Sequence, residues 1–372
     1  MKSKATATPH PTATTYVNTK VGVRGAGVHI LRLCLRLPSP PTKGLTFVTT
    51  ILCGQWLLKI LVITLISTTF AADPPYGQLS VKGIQLVGSN GQAVQLRGIG
   101  LSWSQWFGEF WNADSVQADK CCFNGNVIRA PMAVDQGGYL TNPDQEMKKV
   151  DTVVQAAISA GIYVIINWQA FDLYTQQSLG FFKNVSKRYT GIPNVIYEVL
   201  NEPRNLDWNK DLVPYHNALV AAIRANDKKN IIVLGTPTWS QDVDIASKNP
   251  IKGNNLLYTC HVYACTHQQN NMDKAQTAIN NKLPLIFTEL GTTAADGDGP
   301  ICKDWTQKWW DFVNKNKISY LNWSLVNKAE GSAALKPGTQ TTKAEECKES
   351  NLTPSGLLVR NELNTHDNGV KC

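Results

Sequence analysis

Eight short apolar segments recur along the chain, each followed by a stretch long enough for a helix, and few architectures accommodate that order. They are VQLRGIGL (94–101), NVIRAPM (126–132), YVIINW (163–168), NVIYEVLN (194–201), IIVLGT (231–236), LLYTCHVY (256–263), PLIFTEL (284–290) and SYLNWSL (319–325). Such runs, rich in β-branched and aromatic residues, have the form of strands buried on both faces. Between them, DQEMKKVDTVVQAAISAG and VPYHNALVAAIRAND repeat their apolar residues at three and four, the helical period. Eight strand–helix units in about 240 residues match an α/β fold of the (β/α)8 TIM barrel type. A doubly wound sheet fits less well, because no glycine-rich phosphate turn follows the first strand. The barrel is expected over residues 73–340. A short N-terminal β-hairpin is expected in QLSVKGIQLVGSNGQAVQLRG, turning at Asn90-Gly91. Residues 341–372, polar and poor in strand signals, are expected to form an irregular tail.

The formal charge of +8 would suggest a polyanionic partner if it lay on the folded body. It does not. Residues 1–72 carry Lys2, Lys4, Lys20, Arg24, Arg32, Arg36, Lys43 and Lys59 and no acidic residue, which accounts for the whole excess. The rest is balanced, so no nucleic-acid partner is expected. The run LLKILVITLISTTFAADPP, with Lys59 at its head and small residues near Ala71 and Ala72, has the pattern of a secretory signal with its apolar core at about 57–70. Gln55 and Lys59 interrupt the segment that would otherwise approach a membrane span. A secreted, extracellular protein is therefore expected, monomeric and without stable membrane association after cleavage. Cys121, Cys122, Cys260, Cys265, Cys302, Cys347 and Cys372 lie beyond the leader, allowing at most three disulfides and one leftover thiol. The cysteines of CHVYAC lack further ligands at metal-site spacing, and no metal or cofactor is expected. Asn184 and Asn351 head glycosylation sequons, and the match at Asn322 falls inside a predicted strand.

In a (β/α)8 barrel the C-terminal strand ends meet on one face. Those ends supply Arg129, Asn167, Gln169, Asn201, Glu202, Trp239, His261, Tyr263, Glu289 and Trp323. Two are carboxylates, Glu202 after the fourth strand and Glu289 on the seventh. Paired carboxylates across a tryptophan-lined cleft are what glycosidic bond cleavage requires. Glu198 shares the parity of Glu202 but sits deeper and is read as structural.

VIYEVLNEP, CHVYACTH, IFTELG and NWSLVNKAEGSAAL, in this order, resemble motifs of glycoside hydrolase family 5 endo-β-1,4-glucanases, the cellulase branch found in bacteria and some invertebrates. The resemblance extends over about residues 76–338. It implies a retaining mechanism, with Glu289 as nucleophile and Glu202 as acid and then base. It also implies that Arg129 orients Glu289, that His261 and Tyr263 bracket the pair, and that Asn201 binds a sugar 2-hydroxyl. Trp323, Trp239 and Trp106 would offer stacking faces, and Lys328 and Glu330 would hold a distal glucosyl unit. A carboxyl separation of ~5–5.5 Å and a raised pKa on Glu202 follow from such a mechanism.

The chain departs from the family pattern at the end of the third barrel strand. Asn167-Trp168-Gln169 stands where Asp-Trp-His is common, so Gln169 would contact sugar without becoming cationic. LSWSQW after the first barrel strand lacks a His that many bacterial members carry, placing Trp103 and Ser104 at the cleft floor, and Asn327 replaces a frequent Asp. The function expected is a secreted cellulase acting on cellulose or β-glucan. A β-mannanase, xylanase or licheninase, or a weakly active glucan-binding protein, are the alternatives.

Overall fold

The computed structural model describes residues 73–372. The leader and its apolar core lie outside the described residues. A two-stranded antiparallel sheet, β1 (Ser80–Lys82) and β2 (Gln85–Val87), precedes eight parallel strands that close into a barrel. These are β3 (Arg97–Leu101), β4 (Val127–Ala133), β5 (Tyr163–Gln169), β6 (Val195–Glu198), β7 (Ile232–Leu234), β8 (Leu256–Tyr263), β9 (Leu285–Gly291) and β10 (Tyr320–Leu325), with β10 pairing back onto β3. All eight predicted strand positions are occupied. The hairpin differs in its turn: β1 and β2 reverse at Gly83, whose φ of 60° is left-handed. The Asn90-Gly91 turn also forms, but it yields a single bridge between Val87 and Ala93.

Alternation along the strands sorts their side chains into two cores. Residues facing out pack under the helices; Trp168, for instance, sits among Tyr139, Phe181 and Phe182. Residues facing in build an apolar floor of Val127, Ile165, Ile196, Val233, Leu257, Ile286 and Leu321, against which Leu79 and Leu96 pack. Two residues further along the same faces the floor gives way to polar groups: Val127 to Arg129, Ile165 to Asn167, Leu257 to Thr259 and then His261. Period-two geometry thus places chemistry directly above a dry plug.

Strand β9 breaks the alternation. Thr259 pairs with Ile286 whereas His261 pairs with Glu289, and on the other side Tyr320 pairs with Phe287 whereas Asn322 pairs with Leu290. One extra residue in β9 relative to both neighbours is a bulge. It turns the consecutive residues Thr288 and Glu289 both toward barrel partners.

The helices Ala113–Cys122, Pro143–Ala160, Thr175–Arg188, Val213–Asn226, Gln269–Asn280 and Lys303–Lys315 fill six of the connections, and two short turns, Pro237–Ser240 and Val243–Ala246, fill that between β7 and β8. The eighth helix comes from the segment expected to be irregular. Pro354–Asn364 is helical, capped by Thr353, whose hydroxyl accepts from the Gly356 amide at 3.0 Å. It buries Val359 and Leu363. The barrel body therefore extends past residue 340 and includes this helix. Two disulfides, Cys122–Cys347 and Cys121–Cys372, fasten the same region to the helix Ala113–Cys122, and Cys265–Cys302 braces the loops after β8 and β9. Among the described residues Cys260 alone is unbridged. Asn322 is buried, as its place in a strand requires, whereas Asn184 is exposed on a helix.

Candidate active site

A cleft of about 440 Å³ opens at the C-terminal ends of the strands, lined by Glu202, Glu289, Tyr263, Gln169, Trp323, Trp106, Lys328 and Glu330 from the predicted set. Arg129, Asn201 and His261 stand behind that lining, each essentially buried. Trp239 does not join it: it is 41% exposed, with a left-handed φ of 54° and its amide bonded to the Pro203 carbonyl at 3.0 Å. Ser104 is not at the cleft floor either, since its buried hydroxyl bonds Glu146 and the Ala133 amide. Four lining groups escape a reading of the sequence: Ser102, Phe107, Phe171 and the Ala295–Gly297 loop. Phe171, two residues past Gln169, is held by the Arg204 guanidinium at 4.4 Å from its ring. The loop is pinned by a bond from the Ser332 amide to the Gly297 carbonyl at 2.9 Å.

The two carboxylates are held differently. Both oxygens of Glu289 accept from protein donors, Oε1 from Arg129 Nη1 at 2.7 Å and Oε2 from the Tyr263 hydroxyl at 2.9 Å. This is a fixed, fully hydrogen-bonded carboxylate with 4% of its side chain exposed. Glu202 keeps 15% exposure and has a single partner, His261 Nδ1 at 2.9 Å from Oε1, leaving Oε2 toward the cleft. Its backbone is tied down by a bond from the Glu202 amide to the Ala170 carbonyl at 3.2 Å.

Arg129 is the hub. Its Nε and Nη2 donate to Glu198 at 2.7 and 3.2 Å, and Nη2 also donates to Asn201 Oδ1 at 2.6 Å. That last bond fixes the Asn201 amide with its Nδ2 group unpartnered. Gln169 likewise leaves a buried Oε1 without a partner at the cleft wall, and both polar atoms of Asn167 beneath it are unpartnered.

Burial and charge set the proton affinities. Burial raises the pKa of Glu202, and although the His261 hydrogen bond opposes it, the facing Glu289 charge adds to the rise. Burial by itself would lower His261, but Glu289, Glu198 and Glu202 overcome it and push the imidazole up to about 9. For Glu198, burial is outweighed by Arg129 and the carboxyl is held low. Tyr263 is driven far up by burial and by Glu289, so it stays a donor.

Donor atoms of Glu202, His261 and Glu289 lie within 4.8 Å of one another, the one group of His, Cys, Asp and Glu among the described residues compact enough to hold a metal ion. Arg129 and Tyr263 each bond an oxygen of Glu289, and His261 Nδ1 engages Glu202, so an ion using these atoms would compete with those bonds and stand close to the Arg129 guanidinium. In CHVYAC, Cys260 is buried and Cys265 is bonded to Cys302, so the two thiols form no common site.

Fold and cleft together define a class, the (β/α)8 barrel with paired carboxylates at its C-terminal strand ends. The family model described as cellulase, glycosyl hydrolase family 5, matches residues 87–329. The chain belongs to this family. It is 43% identical over 293 residues to an endoglucanase of Clostridium saccharobutylicum, covering 77% of this chain and 65% of that relative's length. A solved structure from Cytophaga hutchinsonii is 44% identical with a TM-score of 0.77, covering 78% of this chain and 95% of that one. The catalytic domain of a Thermobifida fusca endoglucanase, solved with cellotetraose, is 28% identical with a TM-score of 0.73, covering 78% of this chain and 98% of its own.

Proposed function

We propose that this protein is an exported endo-acting glucanase that cleaves internal β-1,4 bonds of cellulose or mixed β-glucan with retention of configuration. The observation that carries the proposal is the pairing of Glu202 and Glu289, with an oxygen of each within 4.8 Å, in a cleft bearing Trp106 and Trp323. Retaining enzymes keep their carboxyls ~5–5.5 Å apart, whereas inverting ones open to ~6.5–9.5 Å to admit water. The closeness supports attack by Glu289 itself. The relatives named endoglucanase support the substrate class, and the three disulfides support an oxidising compartment.

In this reading Glu289 Oε2 or Oε1 attacks the anomeric carbon while Glu202 gives its proton to the departing glycosidic oxygen. Water then attacks the glycosyl ester and returns its proton to Glu202. Charge counting explains why one residue does both. With Glu202 protonated, Arg129 and the His261 imidazolium balance Glu198 and Glu289. Esterification of Glu289 removes one negative charge, and the surplus of positive charge then favours loss of the Glu202 proton, which makes it the base. In the same reading Asn201 Nδ2 donates to a sugar hydroxyl and Gln169 Oε1 accepts from one, which their lack of protein partners supports. Tryptophan faces supply stacking area.

Release of reducing ends from barley β-glucan, carboxymethylcellulose, mannan and xylan tests the substrate, and NMR of the first anomer formed tests retention. Glu202→Gln and Glu289→Gln are expected to lower the rate at least ~10³-fold. Equal activity in wild type and both variants would sink the assignment, and faster action on mannan or xylan would move it to that sugar.

A further inference from the structure

Beneath the carboxylate pair lies a third carboxylate that the two-residue mechanism does not use. Glu198 is wholly buried, and its hydrogen bonds run two ways. One set goes to Arg129. The other begins at Thr288, whose hydroxyl donates to Glu198 Oε1 at 2.6 Å. The same Thr288 oxygen contacts His261 Nε2 at 2.9 Å and the Thr259 hydroxyl.

A hydroxyl has one proton and two lone pairs. With its proton committed to Glu198, Thr288 is left to accept from Thr259 and from His261, so His261 Nε2 must carry hydrogen. The other ring nitrogen, Nδ1, is then the one whose protonation answers to Glu202 at 2.9 Å, with Glu289 Oε2 at 3.8 Å. The bulge in β9 makes this relay possible, because it allows Thr288 to reach His261 and Glu198 while Glu289 reaches Arg129 and Tyr263.

We propose that Glu198 is a positioning residue for the reaction: acting through the Thr288 hydroxyl, it fixes the Nε2–H of His261, and its negative charge favours the imidazolium, whose Nδ1–H then points at Glu202 Oε1. Oε2 of Glu202 is thereby left to carry the proton that the leaving group receives. The inference rests on the retaining reading above and adds a residue to it.

Its signature is a pH profile. Glu202 and His261 hold their protons as a pair. The first proton lost on raising pH disables the acid whichever site gives it up: either Glu202 is ionised, or a neutral Nδ1 draws the Glu202 proton away from the cleft. The charges facing this pair are Glu289 on β9, Arg129 on β4 and Glu198 on β6, with the neutral Tyr263 hydroxyl on β8. Removing the negative charge of Glu198, or the acceptor for Nε2–H, lowers the pH at which that first proton leaves.

The variants are Glu198→Gln, Thr288→Val and Thr288→Ser in the full chain. The imidazole ¹⁵N shifts of His261 and kcat/KM on barley β-glucan are followed from pH 5 to 10. In Glu198→Gln and Thr288→Val the His261 titration and the alkaline limb of kcat/KM are both expected to move down by about one unit or more, with Thr288→Ser restoring the wild-type positions. Thr288→Val leaves the Arg129–Glu198 pair in place and so serves if Glu198→Gln fails to fold. Variants that lose melting temperature or amplitude while both titrations stay at their wild-type pH would overturn the proposal, leaving Glu198 a structural partner of Arg129. The ¹⁵N titration needs no turnover. A wild type that leaves every glucan intact would defeat the function while His261 still reports on this relay.

Discussion

At the scale of single residues the cleft divides into groups with complete partners and groups without. Arg129 bonds Glu198, Asn201 and Glu289, and Tyr263 bonds Glu289, whereas Asn201 Nδ2 and Gln169 Oε1 are buried and unpaired. An unpaired buried amide costs about 1–3 kcal/mol, which a substrate hydroxyl would offset in the proposed reaction. Gln169→Ala is therefore expected to lower kcat/KM on β-glucan about tenfold, and Gln169→His to match or exceed wild type near neutral pH, both read from initial rates. A Gln169→His variant no better than Gln169→Ala would show that the pocket is shaped to the amide. Much of this level is legible in the sequence, because Glu202, His261, Tyr263 and Glu289 each sit within a recognisable motif on or just after a barrel strand, and Arg129 follows from its position on the second barrel strand. Glu198 is visible there but reads as a bystander. Thr288 is invisible, since strict alternation turns it away from the interior whenever Glu289 points in.

Elements explain that failure and one more. The β9 bulge is a property of three strands in register, and no window of one strand encodes it. The final helix is a different case: Thr353-Pro354 is a visible helix start, but Leu357, Leu358, Val359 and Leu363 give too ragged a stripe to stand out in a polar segment. What seats this helix is proximity. A Cβ on Gly356 would collide with the Ala334 carbonyl oxygen, whereas one on Gly180, inside the helix Thr175–Arg188, would meet nothing within 4 Å. Gly356→Ala is expected to destabilise by about 1–3 kcal/mol and Gly180→Ala to stabilise by about 0.5–1 kcal/mol in urea unfolding. Nearby, Glu346 is buried against Ser115, which donates to its Oε1 at 2.7 Å, and Oε2 has no partner. Burial pushes this carboxyl up to about 7. Because the folded value is raised, its share of stability is full below about pH 4.5 and is lost as pH rises through 7. Glu346→Gln is expected to leave stability unchanged at pH 4.5 and to add about 2 kcal/mol at pH 8; an equal effect at both would contradict the burial argument.

For the molecule as a whole, pH acts from the acid side as well. His216, whose Nε2 donates to the Gly235 carbonyl at 2.8 Å, and His267, which accepts from the Tyr263 amide at 2.9 Å, are both lowered to about 4, chiefly by burial. Lowered imidazoles contribute stability above about pH 6.5 that is lost as pH falls toward 4. Their share of the unfolding free energy is thus expected to drop between pH 6.5 and 4.5, against the opposite trend of Glu346, and His216→Gln is expected to lose less stability than wild type on acidification across that window; identical slopes in wild type and variant would exclude His216 as a source. The eight-stranded plan itself is legible end to end, because a strand buried on both faces must be apolar throughout and its period cannot be hidden. Cysteine pairing is not, as spacing alone leaves every combination open. The pairs that form join the helix after the first barrel strand to Cys347 and Cys372, across the seam where β10 meets β3. A protease that nicks any single surface loop between these anchors leaves two fragments that remain one covalent object, held edge to edge like a clasped bracelet, and free to close again over the same cleft.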